Sequence, residues 1–291
     1  MSSFVNLNSP SYMPTLFGGG PAGNSLLDTL YGRTKPVAGN TNPIAALAQA
    51  RSGEKKQVER VAAEPEVKRD LARFAQALAK AKTPADLLND PAALKVLLTA
   101  NGLGDQSGAP ALAKQALLSD PAKSDALVNR LSDSRWKTIN KTYDFANKGL
   151  TVLRDPTIQA AVANGYAEVH WRESLDRTTP GLSNAMDFMK RAGTITSAVQ
   201  VLGDPTFRAV VTTALGLPKQ IAFQTLNAQE TAISKRLDLT KFKDPGFVQQ
   251  FTQRYLLAAS DAAKTEASAA AASGTGADLS SLAARAGGLV V

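Results

Sequence analysis

Apolar residues recur along this chain at three- and four-residue intervals, the spacing of one face of a helix. Val67, Leu71, Phe74 and Leu78 fall at i, i+4, i+7 and i+11, behind Glu64-Pro65-Glu66 and ahead of a stop at Thr83-Pro84. Pro43 starts a shorter stripe through Ile44, Leu47 and Ala48 that is expected to end near Gly53. Leu127, Leu131, Trp136 and Ile139 lead to Tyr143 and Phe145, and Leu182, Met186, Met189 and Ile195 follow Pro180-Gly181. Phe247, Phe251 and Tyr255 stand at i, i+4 and i+8, a spacing that places aromatics in a core. The two-residue alternation of a strand hardly occurs. The expectation is an all-α, multi-helix bundle of roughly eight to ten helices with no sheet.

Asp-Pro occurs five times, at Asp90-Pro91, Asp120-Pro121, Asp155-Pro156, Asp204-Pro205 and Asp244-Pro245. An aspartate at the N-cap accepts a hydrogen bond from a free first-turn amide. Proline at the next position lacks an N–H that would have had no partner there. Five short helices are therefore expected, with capping rather than metal ligation as the role of these carboxylates. Leu88-Asn89-Asp90-Pro91 runs on to Gly102-Leu103, and Leu202-Gly203-Asp204-Pro205 runs on to Gly216-Leu217 with the same spacing. That match predicts a degenerate internal repeat, residues 84–150 against 197–258. Asp155-Pro156 begins a third, weaker copy expected to end near Asn164-Gly165.

The helical body, residues 44–258, is flanked by two tails. Residues 1–43 are about half Gly, Pro, Ser and Asn, a composition that buries too little to order the backbone by itself. Within them lie two apolar islands, Tyr12, Leu16 and Phe17, then Leu26, Leu27, Leu30 and Tyr31. Residues 259–291 turn Ala-rich and then Gly-rich, with Ser273-Gly274-Thr275-Gly276 as an expected flexible joint and Leu279, Leu282 and Leu289 as a last apolar handle. These residues are the candidate partner contacts, docking either on a partner or on the same chain.

Composition narrows the chemistry. With no cysteine in 291 residues, disulfides, thiolate catalysis and cysteine-ligated metals are excluded together. The net charge of +8 permits an anionic partner, but basic residues cluster only in pairs such as Lys55-Lys56, Lys68-Arg69, Lys190-Arg191 and Lys235-Arg236. Acids flank most of these pairs, so nucleic-acid binding is not expected. No apolar run approaches the ~20 residues of a membrane span, and Met1 to Pro10 lacks the basic and apolar regions of a secretory signal. The single His170, in Glu168-Val169-His170-Trp171, cannot build a histidine-rich zinc site and has no Gly-x-Ser-x-Gly elbow to serve. Gly18-Gly19-Gly20-Pro21 is followed by no Gly-Lys-Ser/Thr, so it is no phosphate loop. Neither a catalytic residue nor a cofactor or metal is expected.

Three runs carry a family resemblance. They are Asp133-Ser134-Arg135-Trp136 through Tyr143-Asp144-Phe145, Asp204-Pro205 to Gly216-Leu217, and Lys235 to Leu239 with Phe242, Asp244-Pro245, Phe247, Phe251 and Arg254-Tyr255-Leu256. Together these runs, within about residues 60–258, resemble the alphaproteobacterial family catalogued as domain of unknown function twelve-seventeen, whose members often lie in flagellar gene clusters. The resemblance brings no catalytic residues with it. It implies a protein associated with the bacterial flagellum without fixing its role. With the lack of catalytic motifs, the expectation is a non-enzymatic structural or export-related component of the flagellum or its export pathway, acting by contacts with other flagellar proteins. The alternative is a cytoplasmic adaptor or regulator of flagellar assembly, and the remote alternative is an enzyme without a recognisable motif. A loose N-terminus, no cysteine and an Ala-rich helical body suit passage through a narrow export channel.

Overall fold

Helices in this protein begin where a proline follows a side chain able to accept a hydrogen bond. The computed structural model describes residues 42–286, with side chains through residue 269. Asn42 caps α1 (Pro43–Ala62) by accepting from the Ile44 amide at 3.0 Å. α2 (Pro65–Lys80) follows after one short turn. Thr83 and Asp86 cap α3 (Pro84–Asn89) reciprocally, each side chain accepting from the other's backbone amide. Asp90 then caps α4 (Pro91–Ala100) through the amides of Ala92 and Ala93. A 3-10 turn at Gly104–Gln106 leads to α5 (Pro110–Leu118).

Three short helices come next: α6 (Leu127–Arg130), α7 (Ser134–Tyr143) and α8 (Phe145–Lys148), the last two separated by the left-handed Asp144 at φ 46°. α9 (Pro156–Leu175) runs through the middle of the body and packs on α1, α4 and the helix that follows it, α10 (Leu182–Arg191). α11 (Ala198–Gly203) and α12 (Pro205–Ala214) repeat the short-then-longer pair of α3 and α4. A 3-10 turn at Lys219–Phe223 leads to α13 (Leu226–Ser234), and another at Leu239–Lys243 leads to α14 (Pro245–Ala286). Among the described residues there is no strand, and several helices are single turns, so they outnumber the eight to ten expected.

Phe188 centres an aromatic core. Its ring lies 5.4 Å from that of Phe207, 5.2 Å from Phe242 and 5.8 Å from Phe251. Edge-on and tilted pairs of this kind add to what apolar burial contributes. Three of the four rings stand on α10, α12 and α14, so the cluster ties those helices together, and Phe242 seals it from the turn before α14. The expected stripe on α2 is present: Val67, Phe74 and Leu78 are buried and Leu71 packs beside them.

The two Asp-Pro segments that share spacing also share geometry. Asp204 accepts from the amides of Thr206 and Phe207 as Asp90 does from Ala92 and Ala93. Ser197 caps α11 as Thr83 caps α3. Gly102 and Gly216 both sit at positive φ, 74° and 63°. The Leu103 and Leu217 amides reach back to Leu98 and Thr212 carbonyls at 2.8 and 2.9 Å, the same helix-closing motif. Both segments then pass through a 3-10 turn into a nine-residue helix, α5 or α13.

Five expectations are corrected. Asp120 accepts from the Ala122 amide, but a turn follows rather than a helix. Gly53 does not end α1, which continues to Ala62. α9 does not stop at Asn164-Gly165. A Cβ on Gly165 would collide with the carbonyl oxygen of Ala100, so this glycine marks where α9 lies against α4. Finally, Asp155 and Asp244 open helices of 20 and 42 residues, not short ones. α14 runs on through residues 258–286, including Ser273–Gly276, where a flexible joint is expected; the alanines around it are the best helix formers.

Candidate functional site

Charged side chains far apart in sequence converge on one line through the body. Arg135, in the first turn of α7 and 6% exposed, spreads its guanidinium over three carboxylates. Nη2 donates to Asp133 at 2.7 Å, Nη1 donates to Asp105 at 2.9 Å, and Nε lies 3.6 Å from Asp204. Nη1 also donates to the Gly102 carbonyl at the close of α4. Asp204 is wholly buried; besides capping α12 it receives Nη1 of Arg191 at 2.5 Å. Arg191 lies 4.7 Å over the Phe207 ring and donates to Asp187. Asp187 also faces Arg172 at 3.0 Å, Arg172 faces Glu168 at 3.2 Å, and Lys190 joins Glu168 at 2.7 Å and then Glu54. The line thus links α7, α12, α10, α9 and α1.

Taking an ion out of water costs several kcal/mol, and only well-formed partners offset that. Here burial works against the charged form of Asp187, but hydrogen bonding from Arg191 and the charges of Arg191, Arg172 and Arg135 override it. The carboxyl is held below its ordinary 3.8. Burial likewise opposes the cations Arg135, Arg191 and Lys190, and their carboxylate partners more than offset it, raising all three. These groups are paired across helices, an arrangement that ties α7, α9, α10 and α12 together.

A polar cleft of about 340 Å³ lies beside the line, between the end of α9, the start of α10 and the start of α12. Asp176 faces it, and burial raises its pKa. Its carboxylate accepts from the Ser183 amide at 2.8 Å and so caps α10, whose own N-cap, Gly181, has no side chain to do so. His170 stands one turn after Tyr166 on α9, edge-on at 4.5 Å, while the Tyr166 hydroxyl donates to Asp70 at 2.9 Å. The His170 Nε2 is buried without a hydrogen-bond partner among the described residues, as a packed aromatic would be. Among the described residues no group of three or more His, Asp or Glu is placed to hold a metal ion. No helix there is long and apolar enough to cross a membrane.

Two surface features remain, the first of which meets the charge line at Lys190 and Glu54. A groove of about 490 Å³ runs between α1, α10 and the start of α14, floored by Met186, Met189, Phe242 and Val248. Elsewhere, Phe223 is 90% exposed and Leu226 52%, at the two ends of the segment joining the 3-10 turn to α13. Leu257, 47% exposed, stands on α14 just where that helix ceases to be buried.

Residues 100–248, just over half of the chain, match the family described as "Protein of unknown function (DUF1217)". The chain belongs to the DUF1217 family. The DUF1217 segment begins at the end of α4 and closes at Val248, so it holds most of the charge line and the exposed turn. A crystal structure of a protein from Agrobacterium tumefaciens is similar in fold, with a TM-score of 0.63 and 24% identity. The likeness covers 77% of this chain and 96% of that one. No curated protein matches this chain.

The residues singled out from the sequence as partner contacts lie at the edges of this DUF1217 protein. Tyr12, Leu16, Phe17, Leu26, Leu27, Leu30, Tyr31 and Leu289 fall outside the described residues. Leu279 and Leu282 stand on the far part of α14, beyond the residues whose side chains are described. No spacing in the sequence points to the charge line, although Lys190-Arg191 stands among flanking acids and Asp204 is legible as a cap. The exposed turn was also missed. Its only sequence signal is a large aromatic, Phe223, set in the polar run around Gln224-Thr225.

Proposed function

We propose that this protein works by protein–protein contact, as a non-enzymatic component of the bacterial flagellum or of its export pathway. The observation that carries the reading is the exposed turn with the extension of α14 beside it. A phenylalanine 90% exposed, with Leu226 three residues on, leaves apolar surface in water that a partner can cover. From Leu257 the helix is exposed or half-buried through residue 269, and its Glu266 reaches Lys219 of the same turn at 3.1 Å. The interior adds support: its charges are matched to one another and hold helix starts in place. The flagellar setting comes from the family resemblance in the runs around Trp136, Gly216 and Phe251.

Cell fractionation tests the reading. Recovery with flagellar basal structures or in the medium, lost in an export-defective strain, supports a flagellar component. Retention as a soluble cytoplasmic species bound to export proteins supports the adaptor alternative. A protein found with neither would sink the flagellar reading.

A further inference from the structure

The polar cleft between α9, α10 and α12 carries an excess of acid. Asp105, Glu173, Asp176 and Asp187 line it against Arg135 and Arg172, four carboxylates to two guanidinium groups in a chain whose net charge is +8. Asp105 pairs with Arg135, and Asp187 with Arg172 and Arg191. Glu173 and Asp176, at the end of α9, form no ion pair among the described residues. Burial pushes the Asp176 carboxyl above its ordinary 3.8, and the charge of Glu173 adds to that, although the Ser183 amide donates to it. The carbonyl end of α9 contributes negative partial charge at the same place. A cation set between the two carboxylates would relieve both.

Arg172 supplies a second, independent observation. It is 7% exposed and lines the same cleft, one turn before Asp176. Nη1 meets Asp187 at 3.0 Å. Nε is buried without a hydrogen-bond partner, because Glu168, 3.2 Å away, lies out of line with its N–H. Nη2 has no partner among the described residues. A buried guanidinium with open donors on the wall of a cleft calls for an acceptor that the protein itself does not supply.

We infer that this cleft binds a basic amino acid, its carboxylate on Nη2 of Arg172 and an ammonium group between Glu173 and Asp176. Residues 172 and 176 stand one turn apart on the same side of the chain, a separation of about 5–6 Å between Cβ atoms that one small zwitterion spans. A ligand of net positive charge suits a cleft with acids in excess, and an acidic amino acid or a phosphate is repelled by them. A volume of about 340 Å³ is small among ligand sites, which run from roughly 300 to 1,000 Å³. A metal ion is not favoured, since among the described residues no three of these carboxylates are grouped to ligate one. The inference goes beyond the protein-contact reading and is independent of it.

Calorimetric titration of the full chain tests it with L-lysine, pentylamine and L-glutamate. Pentylamine has the net charge of lysine and no carboxylate. L-lysine is expected to bind saturably at one site, and more weakly as salt rises. Pentylamine should bind about tenfold more weakly, having nothing to offer Arg172, and L-glutamate should not bind. Glu173 is exposed, so Glu173→Lys is expected to keep the wild-type circular dichroism while its own ammonium shuts out both amines. Arg172→Lys keeps a charge facing Asp187 and Glu168 but loses the planar fork. It should bring L-lysine down to the affinity of pentylamine and leave pentylamine unchanged. If that variant does not fold, the ratio of the two amines on wild type still reports the part of Arg172.

No binding of L-lysine, binding of L-glutamate, pentylamine as tight as L-lysine, or affinity unmoved by Glu173→Lys would overturn the inference. So would equal binding of lysine blocked at both its α-amino and carboxyl groups, which would name a lysine side chain of a partner protein as the occupant.

Discussion

Gly165 in α9 lies so close to the carbonyl of Ala100 at the end of α4 that no side chain fits between them. In an unpacked helix, glycine to alanine gains about 1 kcal/mol from propensity. At this crossing the order is reversed, because the obstacle is backbone and cannot rotate away. Gly165→Ala is expected to destabilise the protein by about 1–3 kcal/mol, the range for overpacking. Urea denaturation against wild type checks it, and a variant as stable as wild type would mean that the two helices are farther apart than described.

Asp204 differs from the other Asp-Pro caps in what depends on it. Asp155 caps α9 at the surface, and its loss to alanine should cost about 1 kcal/mol. Asp204 is wholly buried between Arg191 and Arg135. Removing it takes a carboxylate from Arg191, which keeps Asp187, and a more distant one from Arg135, which keeps Asp133 and Asp105, in addition to the cap; about 2–4 kcal/mol is expected, a charge-assisted hydrogen bond added to a cap. Denaturation of Asp204→Ala and Asp155→Ala side by side tests the difference, and equal losses would mean that only the cap matters.

This contrast shows which features local sequence could reveal. A cap is local: Asp90, Asp155, Asp204 and Asp244 bond amides two residues on, so Asp-Pro was enough to find them. The closing Gly-Leu pairs were legible for the same reason. Glu54 and Lys190 are 136 residues apart, and no spacing rule joins them. Glycines mislead for a related cause. Gly53 and Gly165 resemble helix ends in composition, yet packing carries both helices past them. Asp120 carries the same cap signal as its fellows, but the chain turns after it. The groove joins α1, α10 and α14, so its floor and rim were visible only once the chain had folded.

Arg135 is expected to resist its usual conservative exchange. Its planar fork donates to Asp133, to Asp105 and to the Gly102 carbonyl at once, which a lysine ammonium cannot span. Arg135→Lys should lose about 2 kcal/mol or more, since at least one buried carboxylate is left without its donor. A thermal midpoint equal to wild type would overturn that expectation.

Asp187 sets a pH dependence. Its folded pKa lies below the ordinary 3.8, so its contribution is complete above that value and is lost as the pH falls through the folded pKa. Asp187→Asn should destabilise at pH 7, where the wild-type carboxylate holds Arg191 and Arg172. Below pH 3.8 the gap between wild type and variant should narrow, because the wild-type group takes up its own proton. Denaturant midpoints at several pH values decide it, and a gap that stays constant into acid would assign the loss to packing instead.

Phe223 and Leu226 should separate stability from function. Both side chains are largely in water already, so replacing them with serine removes little buried area, and changes within about 0.5 kcal/mol are expected. Each exposed apolar group that a partner covers contributes to binding roughly as burial does, ~1.5–3 kcal/mol for a full leucine or phenylalanine. Phe223→Ser with Leu226→Ser should therefore keep the thermal midpoint while weakening partner recruitment by one to two orders of magnitude, about 1.4 kcal/mol per tenfold. The two measurements to set side by side are a melting curve of the pure protein and the amount that co-sediments with flagellar structures. A lowered midpoint would mean that the turn packs on its own body, and undiminished co-sedimentation would remove it from the contact surface.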